Sequence, residues 1–280
     1  MLASAIWRLE FYIIGEVNMM KFSNLKSSLI ILAVAVVCFG LWADPVEAKS
    51  KNNRVEKVNC NKGQSVQKVL NKYLTDKKSL KIVIKGTCTN EPNGEVQIER
   101  DEVEFKGSET GGGGHIPVIV LVDEAREFVI SDNMRIDNLV LTSAQAIIES
   151  EEGTILIDND ITLNDQSSLA MGTDGPSSIT VNGDISINND SLLTVQEEVS
   201  IGTVILNGEV TLELQSSLRM RNTSIGDLSI KYDSHVLFGM DVIPVSGSNE
   251  ITCDSHSRAW NVPVGFNVGL DPNGISCEAN

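Results

Sequence analysis

Ile157-Asp158-Asn159-Asp160-Ile161-Thr162-Leu163 returns as Val181-Asn182-Gly183-Asp184-Ile185-Ser186-Ile187 and again as Leu206-Asn207-Gly208-Glu209-Val210-Thr211-Leu212. The common pattern is aliphatic, Asp/Asn, Asn/Gly, acidic, aliphatic, Thr/Ser, aliphatic. Shortened copies stand at Ile136–Leu141 and Ile225–Ile230. A second motif follows each copy: Ser168-Leu169-Ala170-Met171, Leu192-Leu193-Thr194-Val195, Ser217-Leu218-Arg219-Met220 and His235-Val236-Leu237-Phe238. Leu169 to Leu193 is 24 residues, Leu218 follows after 25 and Val236 after 18, so the two motifs keep step. Short alternating strands at a period near twenty predict an all-β chain wound as a β-solenoid. One repeat cannot bury its apolar edge alone, whereas stacked coils build continuous ladders of Ile, Val and Leu. Leucine-rich repeats share the length, but their asparagine-ladder consensus and helical backs are missing. A two-sheet sandwich would space its strands less regularly.

Outward from the repeats, the chain changes character. Val66, Val69, Leu70 and Tyr73 form an apolar stripe at helical spacing, with Ser65 as N-cap, and Lys81–Lys85 alternates as a strand. A short amphipathic helix there suits the plugging of an open solenoid end. Residues from Gly247 onward, with Trp260, Pro263, Pro272 and Asn273-Gly274, read as irregular loops closing the other end. Before all this lie a basic stretch from Met20 to Lys26, an uncharged run from Leu29 to Ala43, and Val46-Glu47-Ala48. That is the layout of a secretory signal cleaved after Ala48, with residues 1–19 a start-site overcall. The expected organisation is a signal peptide over 1–48, an N-terminal cap over 49–92, coils over 93–242 and a C-terminal cap over 243–280.

Past residue 48 four cysteines remain, Cys60, Cys88, Cys253 and Cys277. An even count in an exported chain argues for disulfides. Of three pairings, Cys60–Cys88 with Cys253–Cys277 is favoured, because each pair brackets one end. No Cys-x-x-Cys is present and the three histidines are scattered, so zinc is not expected.

Composition bounds the partners. Of 280 residues 38 are acidic and 22 basic, a formal charge of −16, which argues against nucleic acid. Aromatic residues are only 5%, as a narrow aliphatic tube requires. Charge is also segregated. Lys49 to Lys85 holds eleven basic residues against Glu56 and Asp76, while Ile136 to Leu218 holds fourteen acidic residues and no Lys or Arg. Such blocks are usually solvated faces, and the acidic coils repel anionic polymers unless a cation bridges them.

Three segments resemble a known family: Val58-Asn59-Cys60-Asn61-Lys62-Gly63-Gln64-Ser65, Ile84-Lys85-Gly86-Thr87-Cys88 and Val103-Glu104-Phe105-Lys106-Gly107. They are similar to the N-terminal signature of secreted bacterial right-handed parallel β-helix proteins of the pectin-lyase-like group, over about residues 55–107. The resemblance implies a right-handed helix and supports the Cys60–Cys88 pairing. The group includes polysaccharide lyases, hydrolases and esterases. Their signatures (Asn-Thr-Asp, Arg-Ile-Lys, Arg-x-Pro-x-x-Arg) are absent from this sequence, so no catalytic residue carries over.

The candidate chemistry is sparse. Arg219 and Arg221, two apart on one strand, with Lys231 in the following coil, are candidate ligand contacts. Asp158 and Asp160 are candidate paired carboxylates, set against the simpler reading that they flank a turn at Asn159. Asp160, Asp184, Glu209 and Asp227 fall at equivalent places on consecutive coils, a column for which calcium is the one cofactor considered. Gly111–Gly114 reads as a flexible loop, and His115, His235 and His256 as exposed or capped residues. The expectation is a periplasmic or extracellular β-helix, with no membrane span in the mature chain. It serves as a non-catalytic scaffold or surface protein engaging polysaccharide. The alternative is a small polysaccharide lyase or glycoside hydrolase.

Overall fold

The computed structural model describes residues 54–269 apart from 111, 123, 124, 126, 197–201, 246–249 and 255. The expected signal peptide and Cys277 lie outside the described residues. The described chain winds as a parallel β-solenoid of about eight turns, with 24 strands and one α-helix. From residue 145 onward each turn lays one strand on each of three faces. Face one carries Ser168–Thr173, Leu192–Val195, Ser217–Met220, His235–Phe238 and Arg258–Trp260. Face two carries Thr154–Ile157, Ser178–Val181, Thr203–Leu206 and Thr223–Ile225, and face three Ile161–Asn164, Ile185–Ile187, Val210–Leu212, Leu228–Ile230 and Glu250–Cys253. In the earlier coils faces two and three run together as single strands, Gly114–Leu121 and Met134–Thr142.

Every strand pairing among the described residues is parallel, and on face three the inward positions set apolar on apolar. Ile119, Leu139, Ile161, Ile185, Val210, Leu228 and Ile251 form one inward ladder, each at most 1% exposed. Leu121, Leu141, Leu163, Ile187, Leu212, Ile230 and Cys253 form the next, two residues along. The step of two is the strand's own alternation, which sends the intervening Thr162, Ser186 and Thr211 outward.

The corners explain the polar half of the repeat. Between faces three and one, two successive residues take left-handed backbone: Asp165-Gln166, Asn189-Asp190, Leu214-Gln215 and Tyr232-Asp233. Asn and Asp tolerate that region best, and four of these eight residues are of those types. The next residue is always a buried serine, Ser167, Ser191, Ser216 and Ser234, and buried Ser257 continues their column. The Ser167 N–H donates to Ser191 Oγ at 3.1 Å, Ser216 N–H to Ser234 Oγ at 3.2 Å and Ser234 N–H to Ser257 Oγ at 3.3 Å. Between faces two and three, Gly208 lies over Gly183, where an added Cβ would come within 2.1 Å of the Gly183 carbonyl oxygen. The glycine of the Asn-Gly-acidic motif is thus a packing requirement.

The first coils differ. Ser65 caps helix α1 (Val66–Lys72) as expected, accepting from the Lys68 N–H, and Val66, Leu70 and Tyr73 are buried. Two further residues hold this helix. The buried Glu91 carboxylate accepts from Ser65 Oγ and from the N–H groups of Val66 and Gln67. The buried Arg100 guanidinium donates to the carbonyls of Tyr73 and Lys78, both at 2.6 Å. Arg54–Asn59 adds a strand parallel to Leu80–Thr87 that the sequence pattern does not show, since only Val58 of the six is buried. The Cys60–Cys88 disulfide is present with Cα atoms 4.8 Å apart. Gly114 opens a strand, not a loop: a Cβ there would lie 2.9 Å from Ile84 and Met134.

At the far end the ladders run further than the loop signals imply. Glu250–Cys253 stacks on Leu228–Ile230, and Arg258–Trp260 on His235–Leu237, because Ile251, Cys253 and Ala259 continue the inward alternation. Trp260 therefore faces outward on face one and does not plug the core. Cys253 is disulfide-bonded.

Candidate functional site

Three outward features carry chemistry. The first is a grid on the last coils of face one. Strand register places Ser217, His235 and Arg258 in one outward row and Arg219, Leu237 and Trp260 in the next. The His235 and Trp260 rings lie 5.3 Å apart at 55°. Leu237 is 42% exposed. Neither Arg219 nor Arg258 makes an ion pair among the described residues, although acidic residues outnumber basic ones across the chain. Of the three residues expected together, only Arg219 belongs to this grid. Arg221 follows the strand, and Lys231 lies in the turn before His235, where its ammonium pairs with Glu213 at 3.2 Å. The residue one coil on from Arg219 is Leu237, because this coil is only 18 residues long.

The second feature is at the corner of faces two and three in the early coils. His115 Nε2 contacts Asp137 Oδ1 at 2.8 Å, and Arg135 pairs with Asp158. Asp137 and Asp158 are one position on consecutive coils, directly preceded by the paired Ile136 and Ile157. The ligand atoms of His115, Asp137 and Asp158 all lie within 4.8 Å of one another, and all three residues are half-buried. The corner bend at Asn159 separates Asp158 from Asp160, which has other partners. The sequence hides this cluster because its members are 22 and 21 residues apart.

The third is a carboxyl cluster of Glu149, Glu151 and Asp174 beside a buried pair. Burial pushes Glu149 upward, and the hydrogen bond and charge of Asp174 push the same way. Next to it, burial also pushes Asp132 up. That push is outweighed by donors from Glu152 N–H, the Lys106 ammonium, Glu151 N–H and the Ser150 hydroxyl, which hold it below the usual carboxylate range. Lys106 reaches Asp132 at 3.3 Å.

The acidic column occupies consecutive coils as the repeat implies, and three of its carboxylates have backbone partners. Asp160 Oδ1 accepts from the Asp184 N–H at 3.0 Å, Asp184 Oδ1 from the Glu209 N–H at 2.9 Å and Asp227 Oδ1 from the Glu250 N–H at 2.9 Å. These three carboxylates thus satisfy the amide of the coil beyond, whereas the Glu209 carboxylate accepts from the Thr211 hydroxyl of its own coil at 3.5 Å. Among the described residues, the groups with metal-ligand proximity do not include this column, and the Cys60, Cys88 and Glu91 group is spoken for by the disulfide.

No family model, no curated protein and no solved structure matches the chain. Among the described residues no helix is long and apolar enough to cross a membrane.

Proposed function

We propose that the protein is an exported, non-catalytic scaffold that holds an acidic polysaccharide against the last coils of face one. The grid of Arg219, Leu237, Trp260, His235 and Arg258 is the observation that carries this reading. A polymer lying along the solenoid axis meets a new coil about every 4.8 Å, so a rigid ladder offers it regularly spaced contacts. Guanidinium groups fork onto carboxylates, and the half-buried Trp260 indole adds aromatic ring surface. Export takes its support from the expected signal segment and from a buried Cys60–Cys88 disulfide, which persists in oxidising compartments. Polysaccharide as the ligand class, and a right-handed coil, come from the pectin-lyase-like resemblance of residues 55–107.

A panel of neutral and uronate-containing polysaccharides, with and without calcium, tests the reading through retention and product formation together. Retention of acidic polymers without product is expected, falling at least tenfold in a Arg219→Ala, Trp260→Ala variant. Equal retention by that variant would sink the assignment of the face. A second reading, glycoside hydrolysis, draws on Glu149, whose raised pKa is what a general acid needs. Product formation lost in Glu149→Gln would establish it in place of the first.

A further inference from the structure

We propose that His115, Asp137 and Asp158 bind one divalent ion of the zinc class. The corner column itself gives the first reason. Beyond Asp158 the same position is Asn182 and then Asn207, and Asn207 Nδ2 donates to Asn182 Oδ1 at 3.0 Å. An amide ladder satisfies itself and carries no charge. At Asp137 and Asp158 the chain instead stacks two carboxylates on neighbouring coils, where like charges repel, and sets an imidazole against them. A structural corner needs neither change.

The donor set selects the ion. One imidazole nitrogen with two carboxylates suits a borderline ion that takes mixed nitrogen and oxygen ligands in a four-coordinate shell, with water in the remaining position. Calcium wants six to eight oxygens, and two side chains plus an imidazole do not supply them. Donor atoms around tetrahedral zinc lie about 3.3 Å apart given bond lengths near 2.0 Å. The His115 and Asp137 ligand atoms are 2.8 Å apart and all three lie within 4.8 Å of one another, a range that brackets that spacing. Two competing contacts must give way. Arg135, which holds Asp158, has a side chain 56% exposed, so its ion pair is screened and weak. The His115–Asp137 contact is replaced by two bonds to the ion. With neutral imidazole, the two carboxylates against Arg135 leave a net negative charge for a cation to meet.

The disulfide-intact protein, stripped with chelator, is titrated calorimetrically with zinc chloride and in parallel with magnesium and calcium chloride. One zinc ion per chain is expected, with magnesium and calcium at least a hundredfold weaker. His115→Ala and Asp158→Asn should each weaken zinc at least tenfold, while His256→Ala leaves it unchanged. Cobalt bound to the unaltered protein should show the intense visible absorption of a four-coordinate site, a reading independent of whether any variant folds. No zinc uptake, calcium binding as tightly as zinc, a six-coordinate cobalt spectrum, or full affinity in both ligand variants would each overturn the site.

Discussion

The coils from Ile157 to Phe238 and those from Arg54 to Ser131 build the same solenoid by different means. In the later coils three kinds of rung recur: an aliphatic over an aliphatic, a serine over a serine, a carboxylate under the next amide. These repeated polar rungs each have a like neighbour, so losing one leaves the others intact. The first coils rest on single contacts. Glu91 satisfies two amides and a hydroxyl at α1, Arg100 bridges the carbonyls of Tyr73 and Lys78, and one disulfide joins Cys60 to Cys88. Phe105 and Phe128 fill the interior edge-to-face, with ring centroids 5.0 Å apart. Repetition spreads stability over many small terms, and the solenoid's beginning concentrates it in a few large ones.

Substitutions rank accordingly. The largest effect belongs to the shared apolar ladder. Ile185→Asp buries a charge between Ile161 and Val210 and should cost several kcal/mol, enough to unfold a marginal coil. An unchanged thermal midpoint would mean that the side chain faces water. In the first coils Glu91→Ala strands buried donors and should cost about 2–3 kcal/mol in a denaturant titration. A cost under about 0.5 kcal/mol, typical of a surface change, would erase the contrast between the regions.

A pH series sharpens it further. Asp132 is held below its ordinary carboxylate range, so its stabilisation is present above the unfolded value near 3.9 and is lost as pH falls through the lower folded value. Asp132→Asn should therefore lower stability by about 1.5 kcal/mol at neutral pH, and the gap to the unaltered protein should close between about pH 5 and 2. A gap independent of pH would assign the effect to shape, not charge. The smallest effect falls on one repeated rung. Asp184→Ala should cost at most about 1 kcal/mol by removing the bond to the Glu209 N–H, whereas Asp184→Asn keeps an acceptor and should cost almost nothing. If Asp184→Asn were the more harmful in millimolar calcium, and only there, the column would be a calcium site as well as a hydrogen-bond ladder.

The later coils were legible because Ile161, Ile185 and Val210 repeat both in type and in spacing. The buried serines were half-visible: Ser168 and Ser217 stand out in the motif, yet it is their neighbours Ser167 and Ser216 that face inward. The first coils hid more. Glu91 and Arg100 look like ordinary surface charges until the fold brings α1 against them, and Arg54–Asn59 lacks an alternating pattern. His115 appeared isolated because its partners arrive from the next two coils. A site assembled across coils leaves no local signature, only a column that departs from its neighbours, as Asp137 and Asp158 depart from Asn182 and Asn207.

The register of coil on coil underlies all of these assignments, and engineered cross-links test it most directly. Thr162 pairs with Ser186 on face three, both facing outward at a spacing a disulfide can bridge. The double substitution Thr162→Cys, Ser186→Cys should oxidise to a bond recovered by non-reducing peptide mapping, with Asn164→Cys, Ser186→Cys remaining as free thiols. Formation of the second bond but not the first would place the coils two residues out of step and contradict the ladder.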